Sequence, residues 1–229
     1  MSVSIVIPCF DAADTVGDVV AGARASGHPV IVVDDGSTDG SGARAEAAGA
    51  TVLRHPANQG KGAALRTGFL WARRQGADAV LTLDADAQHD PGEIPALVDA
   101  HRADPDALVI GVRSFSPESM PRRSRIGNRI STYWIAQFAG QRYADTQSGF
   151  RVYPRALLDL PRMRTRRFDT EAELLLSAAK LGLSLVEVPV RTIYGASRTT
   201  HFHALKDTLR VMRLVLGYPL WGRDLRRRR

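Results

Sequence analysis

The chain has 229 residues, 44% of them apolar, and a formal net charge of +7. That length fits one large α/β domain or two small ones. The single cysteine, Cys9, excludes an internal disulfide and fits a reducing compartment, and no apolar run approaches the ~20 residues of a membrane-spanning helix.

The amino terminus, MSVSIVIPCF, lacks the basic and long apolar regions of a signal peptide. VSIVIP is expected as a short buried strand, and residues 11–26 as a helix with Asp11 or Asp14 available as caps. PVIVVDD is a second strand, residues 39–48 a short Ala-rich helix and TVLRH a third strand. Residues 60–75 are expected as a helix with Ala64, Leu65, Gly68, Phe69 and Ala72 on one face. ADAVLTLDAD is a fourth strand carrying Asp84 and Asp86 at its end, Pro91 opens the next helix, and ALVIGVR is a fifth strand. This alternation predicts a mostly parallel sheet covered on both faces.

After residue 113 the pattern changes. Residues 122–139 read as a basic helix, followed by a loop from Tyr143 to Gly149, a strand FRVY, a helix near 169–181, a strand LSLVEVPV and a helix over 202–217. One domain over residues 1–205 is the simplest reading, its second half building an acceptor side. Residues 206–229 form a separate amphipathic basic tail in which Leu209, Met212, Val215 and Leu216 share a stripe and Tyr218 and Trp221 precede an arginine run. Aromatics beside cations suit the headgroup region of an anionic membrane; the alternative is a helix docked on the sheet.

Arginine clusters at Arg122, Arg123, Arg125 and Arg129, at Arg162, Arg164, Arg166 and Arg167, and at Arg226 to Arg229. Such clusters suit phosphates, anionic lipid or nucleic acid, or simply serve solubility. Nucleic acid is not expected as a partner, because the chain has neither zinc-finger spacing nor an aromatic RNA-binding motif.

In open α/β sheets, ligands bind outside the carboxyl ends of the parallel strands. Two acidic pairs sit at such ends: Asp34 with Asp35, and Asp84 with Asp86. The turn after the first strand, PCFDAAD, is no GxGxxG, and NQGKGAA lacks the glycine spacing and hydroxyl of a phosphate-binding P-loop. The remaining reading is a nucleoside-diphosphate site with a hard divalent cation on Asp84 and Asp86, assisted by the Gln88 carbonyl. Asp90, directly before Pro91, is expected to cap a helix instead.

VVDDGSTDG, NQGKGAALRTGF, LDADAQHDP, DTQSGFRVY and FDTEAELLL stand in the order and spacing of family-2 glycosyltransferases of the GT-A fold. The chain resembles most the dolichyl- or polyprenyl-phosphate mannosyl- and glucosyltransferases, over roughly residues 3–200. The resemblance implies a GT-A architecture, a mostly parallel nucleotide-binding sheet flanked by helices. It implies a nucleotide-sugar pocket from Pro8, Phe10, Asp34, Asp35, Gly36, Lys61, Asp84 and Ala85, with Asp35 on the base or ribose. It implies Mg²⁺ or Mn²⁺ on Asp84, Asp86 and Gln88. It places acceptor phosphate near Arg113, Arg125 and Arg129, with Gly149 and Phe150 in the acceptor-side loop and Ser197 and Arg198 where the family carries a phosphate-binding pair. The family's Asn-Glu after the first strand is Asp11-Ala12 here, so the glutamate contact to the base is missing. His201 and His203 fall where the family has a glycine-rich stretch, and a phosphate contact is the preferred reading for them.

The expected activity is inverting transfer of a hexose from a nucleotide-diphosphate sugar to a polyprenyl phosphate, at the cytoplasmic face of the membrane. Asp86 is a catalytic candidate through the metal. A phosphate acceptor is already ionised and needs no base, whereas a hydroxyl acceptor needs a carboxylate. Asp145 is the first candidate for that base and Glu171 the second. Glu171 and Glu173 read equally well as a solvated or arginine-paired helix face. A sugar-nucleotide pyrophosphorylase is disfavoured, because PCFDAADTV carries no Gly-rich basic loop.

Overall fold

Alternation within the apolar runs sends neighbouring residues into opposite layers of a three-layer fold. The computed structural model describes residues 1–113, 122–160, 165, 169–191, 193, 214 and 217, with the backbone alone at 122–129. Its strands are β1 (Val3–Cys9), β2 (Val30–Asp34), β3 (Thr51–Arg54), β4 (Ala79–Thr82), β5 (Leu108–Arg113), β6 (Arg151–Pro154) and β7 (Leu185–Val190). Its helices are α1 (Val16–Arg24), α2 (Ser41–Ala47), α3 (Lys61–Arg74), α4 (Ile94–Ala103), α5 (Arg122–Ala139), α6 (Arg155–Leu158) and α7 (Asp169–Leu181). The strands form one sheet in the order β3-β2-β1-β4-β6-β5-β7. Among the described strands only β6 runs against its neighbours, pairing antiparallel with both β4 and β5, while β7 is parallel to β5. The mostly parallel α/β sheet is therefore as expected.

Val6, Ile31, Val33, Val80, Leu108 and Ile110 face one layer, against Leu65 and Phe69 of α3 and Leu174 and Leu175 of α7. Ile5, Ile7, Val32, Leu81 and Val109 face the other, against Val16 and Val20 of α1 and Ile94 and Leu97 of α4. The expected face of α3, from Ala64 to Ala72, is buried. Gly68 permits its close approach: a Cβ there would lie 2.4 Å from Val6 Cγ1.

Two local expectations are corrected. The first helix starts at Val16 with Thr15 in the N-cap position, so neither Asp11 nor Asp14 caps it. Asp11 Oδ1 instead accepts a hydrogen bond from Thr38 N at 3.0 Å. The fourth strand stops at Thr82, and Asp84 and Asp86 lie in the turn beyond it. That turn closes on itself: Ala87 adopts φ +58°, and Asp86 Oδ1 accepts from Gln88 N at 3.1 Å. A polar side chain that bonds its own backbone competes with the sheet ladder, which ends the strand early. Asp90 does cap, accepting from Gly92 N at 2.8 Å across the 3₁₀ turn Pro91–Glu93 that leads into α4.

Cys9 ends β1, 2% exposed and unpaired by any disulfide. Burial pushes its thiol up to about 12. The thiolate is the reactive form, so Cys9 is expected to resist a thiol reagent at pH 8 in the native protein. One equivalent per chain should react on unfolding in denaturant. Fast labelling of native protein would show that this strand end opens.

Candidate active site

Strand order reverses direction between β2 and β4, which flank β1. The crevice at such a point is where open sheets bind ligands. The turn after β4, the end of β5, the start of α3, the loop before β6 and the start of α7 all meet at this edge.

The two adjacent aspartates at the end of β2 point into different surroundings. Asp34 Oδ1 accepts from Ser37 N at 2.9 Å, and its other oxygen lies 4.0 Å from Arg54 Nε. Asp35 faces the β3–α3 loop. Its Oδ1 meets His55 Nδ1 at 2.6 Å and Gln59 N at 3.0 Å, and its Oδ2 accepts from Gly60 N at 2.7 Å. His55 Nε2 in turn lies 2.9 Å from Thr67 Oγ1 on α3. The described contacts of Asp35 thus fix the loop that delivers Lys61. Gly36 follows at φ +80°, where a Cβ would lie 2.6 Å from the Ala57 backbone, so only glycine lets the two loops touch. Pro8 and Phe10 are half-buried at the end of β1, and the Ala85 carbonyl accepts from Thr15 Oγ1 at 2.6 Å.

Lys61 is the first residue of α3. Its Nζ lies 2.6 Å from Asp84 Oδ1 and 2.6 Å from Glu171 Oε1, all three side chains being largely buried. Burial alone would discharge the ammonium, but Asp84 and Glu171 outweigh it and hold its pKa above the usual lysine value. Burial likewise works against the Asp84 charge, yet the Lys61 ammonium keeps that carboxyl below its usual range. Asp86 goes the other way: burial and then the Asp84 charge push it up to about 6. His89, 2% exposed with its ring tilted against Phe150 at a centroid distance of 5.2 Å, is brought down to about 4 by burial. It is neutral at physiological pH.

Arg113, at the end of β5, grips Asp145 through two hydrogen bonds of 2.7 and 3.1 Å. Asp145 Oδ1 also accepts from Gln147 N and Ser148 N. Burial opposes the Asp145 charge, but these donors, Arg113 first, hold its pKa below normal. Such a carboxylate is a weak proton acceptor. Glu171 and Glu173 are buried, not solvated. Glu171 pairs with Lys61, and Glu173 accepts from Thr165 N and Oγ1 at 2.9 and 2.6 Å. Gly149 abuts Asp84: a Cβ there would lie 2.4 Å from Asp84 Oδ2.

Arg151 is a structural residue that the motifs did not single out. It is fully buried, and its guanidinium donates to the carbonyls of Ser148, Thr146 and Glu171 at 2.7, 2.7 and 3.1 Å. It joins the loop before β6 to the start of α7. The signal was present in FRVY, an arginine inside a buried apolar strand, which demands a full set of acceptors. Arg125 and Arg129 lie on the backbone of α5, whose first half is described without side chains, and Ser197, Arg198, His201 and His203 lie outside the described residues.

The sequence profile of glycosyl transferase family 2 matches residues 4–160. The chain belongs to that family. The transferase is similar to the UDP-N-acetylglucosamine–dolichyl-phosphate N-acetylglucosaminyltransferase of Methanococcus voltae, at 28% identity over 94% of this chain and 97% of the relative. It is also similar to the polyprenol monophosphomannose synthase of Mycolicibacterium smegmatis, at 32% identity over 70% of this chain and 65% of the relative. Among solved structures, glucosyl-3-phosphoglycerate synthase from Mycobacterium tuberculosis, in complex with Mn²⁺, UDP and glucosyl-3-phosphoglycerate, superimposes with a TM-score of 0.72. The match is 23% identical over 96% of this chain and 79% of that one. The fold is GT-A and the transferase is a glycosyltransferase.

The donor set at Asp84 and Asp86 is compatible with a hard divalent cation. Two half-buried carboxylates sit close in one turn, and their oxygens are the ligand type that Mg²⁺ and Mn²⁺ take. Among the described residues no group of three His, Cys, Asp or Glu side chains forms a complete cage.

Proposed function

We propose that the transferase moves a hexose from a nucleoside-diphosphate sugar to a polyprenyl phosphate, with inversion at the anomeric carbon. The observation that carries this reading is the state of the two carboxylates available as bases. Asp145 is held by Arg113 and Glu171 by Lys61, so a hydroxyl acceptor finds no ready proton acceptor there, whereas an ionised phosphate requires none. The names of the Methanococcus and Mycolicibacterium relatives, both lipid-phosphate sugar transferases, support the same acceptor class.

In this reading Asp84, Asp86 and the Gln88 side chain hold Mg²⁺ or Mn²⁺, which neutralises charge on the departing diphosphate. Lys61, Pro8, Phe10, Asp34, Asp35, Gly36 and Ala85 shape the donor pocket, Asp34 and Asp35 by fixing its loops. Arg113 orients Asp145 and the loop carrying Gly149 and Phe150, and Arg125, Arg129, Ser197 and Arg198 meet acceptor phosphate. Residues 1–205 form the catalytic unit, and the protein works at the cytoplasmic membrane face. Among the described residues no helix is long and apolar enough to cross a membrane. Ile130 and Tyr133 are 43% and 58% exposed one turn apart on α5, downstream of Arg122, Arg123, Arg125 and Arg129. This apolar and basic combination, with the 206–229 tail, suits an anionic bilayer surface.

The test is a turnover screen with UDP-glucose, UDP-N-acetylglucosamine and GDP-mannose, with Mg²⁺ or Mn²⁺. Each donor is offered with a short polyprenyl phosphate, with 3-phosphoglycerate, or alone. Lipid-dependent release of nucleoside diphosphate is expected. Release with 3-phosphoglycerate and none with lipid would replace this acceptor by a soluble hydroxyl.

A further inference from the structure

We propose that Lys61 is a resident cation that occupies the electrostatic place of the divalent ion, so that the ion is admitted only together with the donor's diphosphate. The proposal rests on the metal-dependent reading above. Three observations carry it.

The first is position. Lys61 is the opening residue of α3, where the helix dipole is positive and a cation is disfavoured. Nothing local calls for an ammonium there; the carboxylates of Asp84 and Glu171 do. The second is geometry. Both Nζ–oxygen separations are 2.6 Å, at the short limit of charge-assisted hydrogen bonds. A divalent ion coordinating Asp84 would lie close to the ammonium, and the two cations repel across the shared carboxylate. In the proposal the ion therefore displaces Lys61 from Asp84. The third is the rigid frame behind it. Asp35 ties down the amides of Gln59 and Gly60, and His55 ties Asp35 to Thr67. The Lys61 backbone is thus pinned, and only its side chain is left to move.

These facts set an order of events. A free ion competes with an ammonium already tethered beside Asp84. An ion that arrives with a diphosphate brings oxygen ligands of its own and negative charge for the released ammonium. Glu171, the second anchor, keeps Lys61 in the site as it leaves Asp84. Without the diphosphate the ammonium keeps the carboxylates compensated and the metal out.

The experiment is Mn²⁺ binding to the full chain, followed by electron paramagnetic resonance of free Mn²⁺ and by the Mn²⁺-induced shift in melting temperature. Wild type, Lys61→Met and Lys61→Arg are compared without nucleotide and with UDP or GDP. Lys61→Met is expected to bind Mn²⁺ alone about tenfold or more tightly than wild type, and to gain more in melting temperature from it. Lys61→Arg should track wild type. With nucleoside diphosphate the gap should narrow, because wild type then binds the ion too. Lys61→Gln is the second variant, retaining an N–H donor toward the carboxylates if methionine impairs folding. Equal Mn²⁺ affinity of wild type and the neutral variants, with wild type still binding Mn²⁺ once a nucleoside diphosphate is present, would overturn the proposal and leave the metal site standing. No Mn²⁺ binding by wild type under any of these conditions would remove the metal reading and this proposal together.

Discussion

Asp86→Ala is expected to cut sugar transfer by ~10²–10³-fold or more while leaving the fold intact. The second half of that statement follows from the site's electrostatics. Asp86 contributes one described side-chain contact, to the Gln88 amide, and it shares the turn after β4 with Asp84, whose charge opposes its own. Removing it deletes a repulsion and costs one hydrogen bond of about 1 kcal/mol. The melting temperature should therefore move by no more than a few degrees. The first half follows from the oxygen count. The metal reading gives the ion two carboxylates and the Gln88 side chain, so loss of one carboxylate leaves too few protein ligands to place an ion on the diphosphate. Asp86→Asn keeps the size and one oxygen but not the charge, and should fall nearly as far. The measurement is kcat/KM for the best donor with Mn²⁺ beside a thermal melt. Wild-type turnover in either variant, or full activity of wild type under chelation, would sink the metal assignment.

The fold was legible because its strands announce themselves by period and by length. Ile5 and Ile7 against Val6, and Val32 against Ile31 and Val33, show the two-sided burial of a parallel sheet. The run Ala64 to Ala72 shows the single buried face of a helix. FRVY was legible as a strand but not in its direction, because an apolar pattern reads the same both ways; its antiparallel course depends on how α5 returns the chain. Strand β4 was read too long because Leu83 continues the apolar run, while pairing with β1 ends at Thr82.

What the sequence did not show at the sheet edge is which residues pair with which. Spacing places Asp34 with Asp35 and Asp84 with Asp86 as two acidic pairs at strand ends. Tertiary contacts make them different: Asp34 packs beside α2 and Arg54, Asp35 clamps a loop, Asp84 takes an ammonium, and Asp86 faces Asp84 across the turn. Lys61 and Glu171 are far apart in the chain, and no local rule pairs them. The arginines just before Glu171 made a surface ion pair the natural sequence reading, yet α7 turns that residue inward. Arg113 and Asp145 were read as separate functional groups for the same reason, although each is the other's principal partner.

Gly149→Ala is expected to lower kcat/KM by ~10²-fold or more, the size of effect reached when a charge-stabilising group is misplaced. The change adds one methyl group and no backbone strain, since Gly149 is not among the glycines at positive φ. All of its effect must come from what the methyl meets. That is the Asp84 carboxylate, with Oδ2 at 2.4 Å and Cγ at 2.8 Å from the ideal Cβ position, closer than van der Waals contact allows. The glycine cannot retreat, because its carbonyl holds Thr82 Oγ1 at 2.6 Å and Arg151 secures the loop just before it through the Ser148 carbonyl at 2.7 Å. Asp84 must therefore rotate away, breaking its bond to Lys61 and displacing the carboxylate from the diphosphate side. The stability cost is that of modest overpacking, about 1–3 kcal/mol, so the variant should fold and can be assayed. Gly17→Ala is the control, a helical glycine whose added Cβ meets nothing within 4 Å; it should keep full activity and a melting temperature equal to or above wild type. Full turnover by Gly149→Ala would mean that Asp84 serves the reaction from another rotamer.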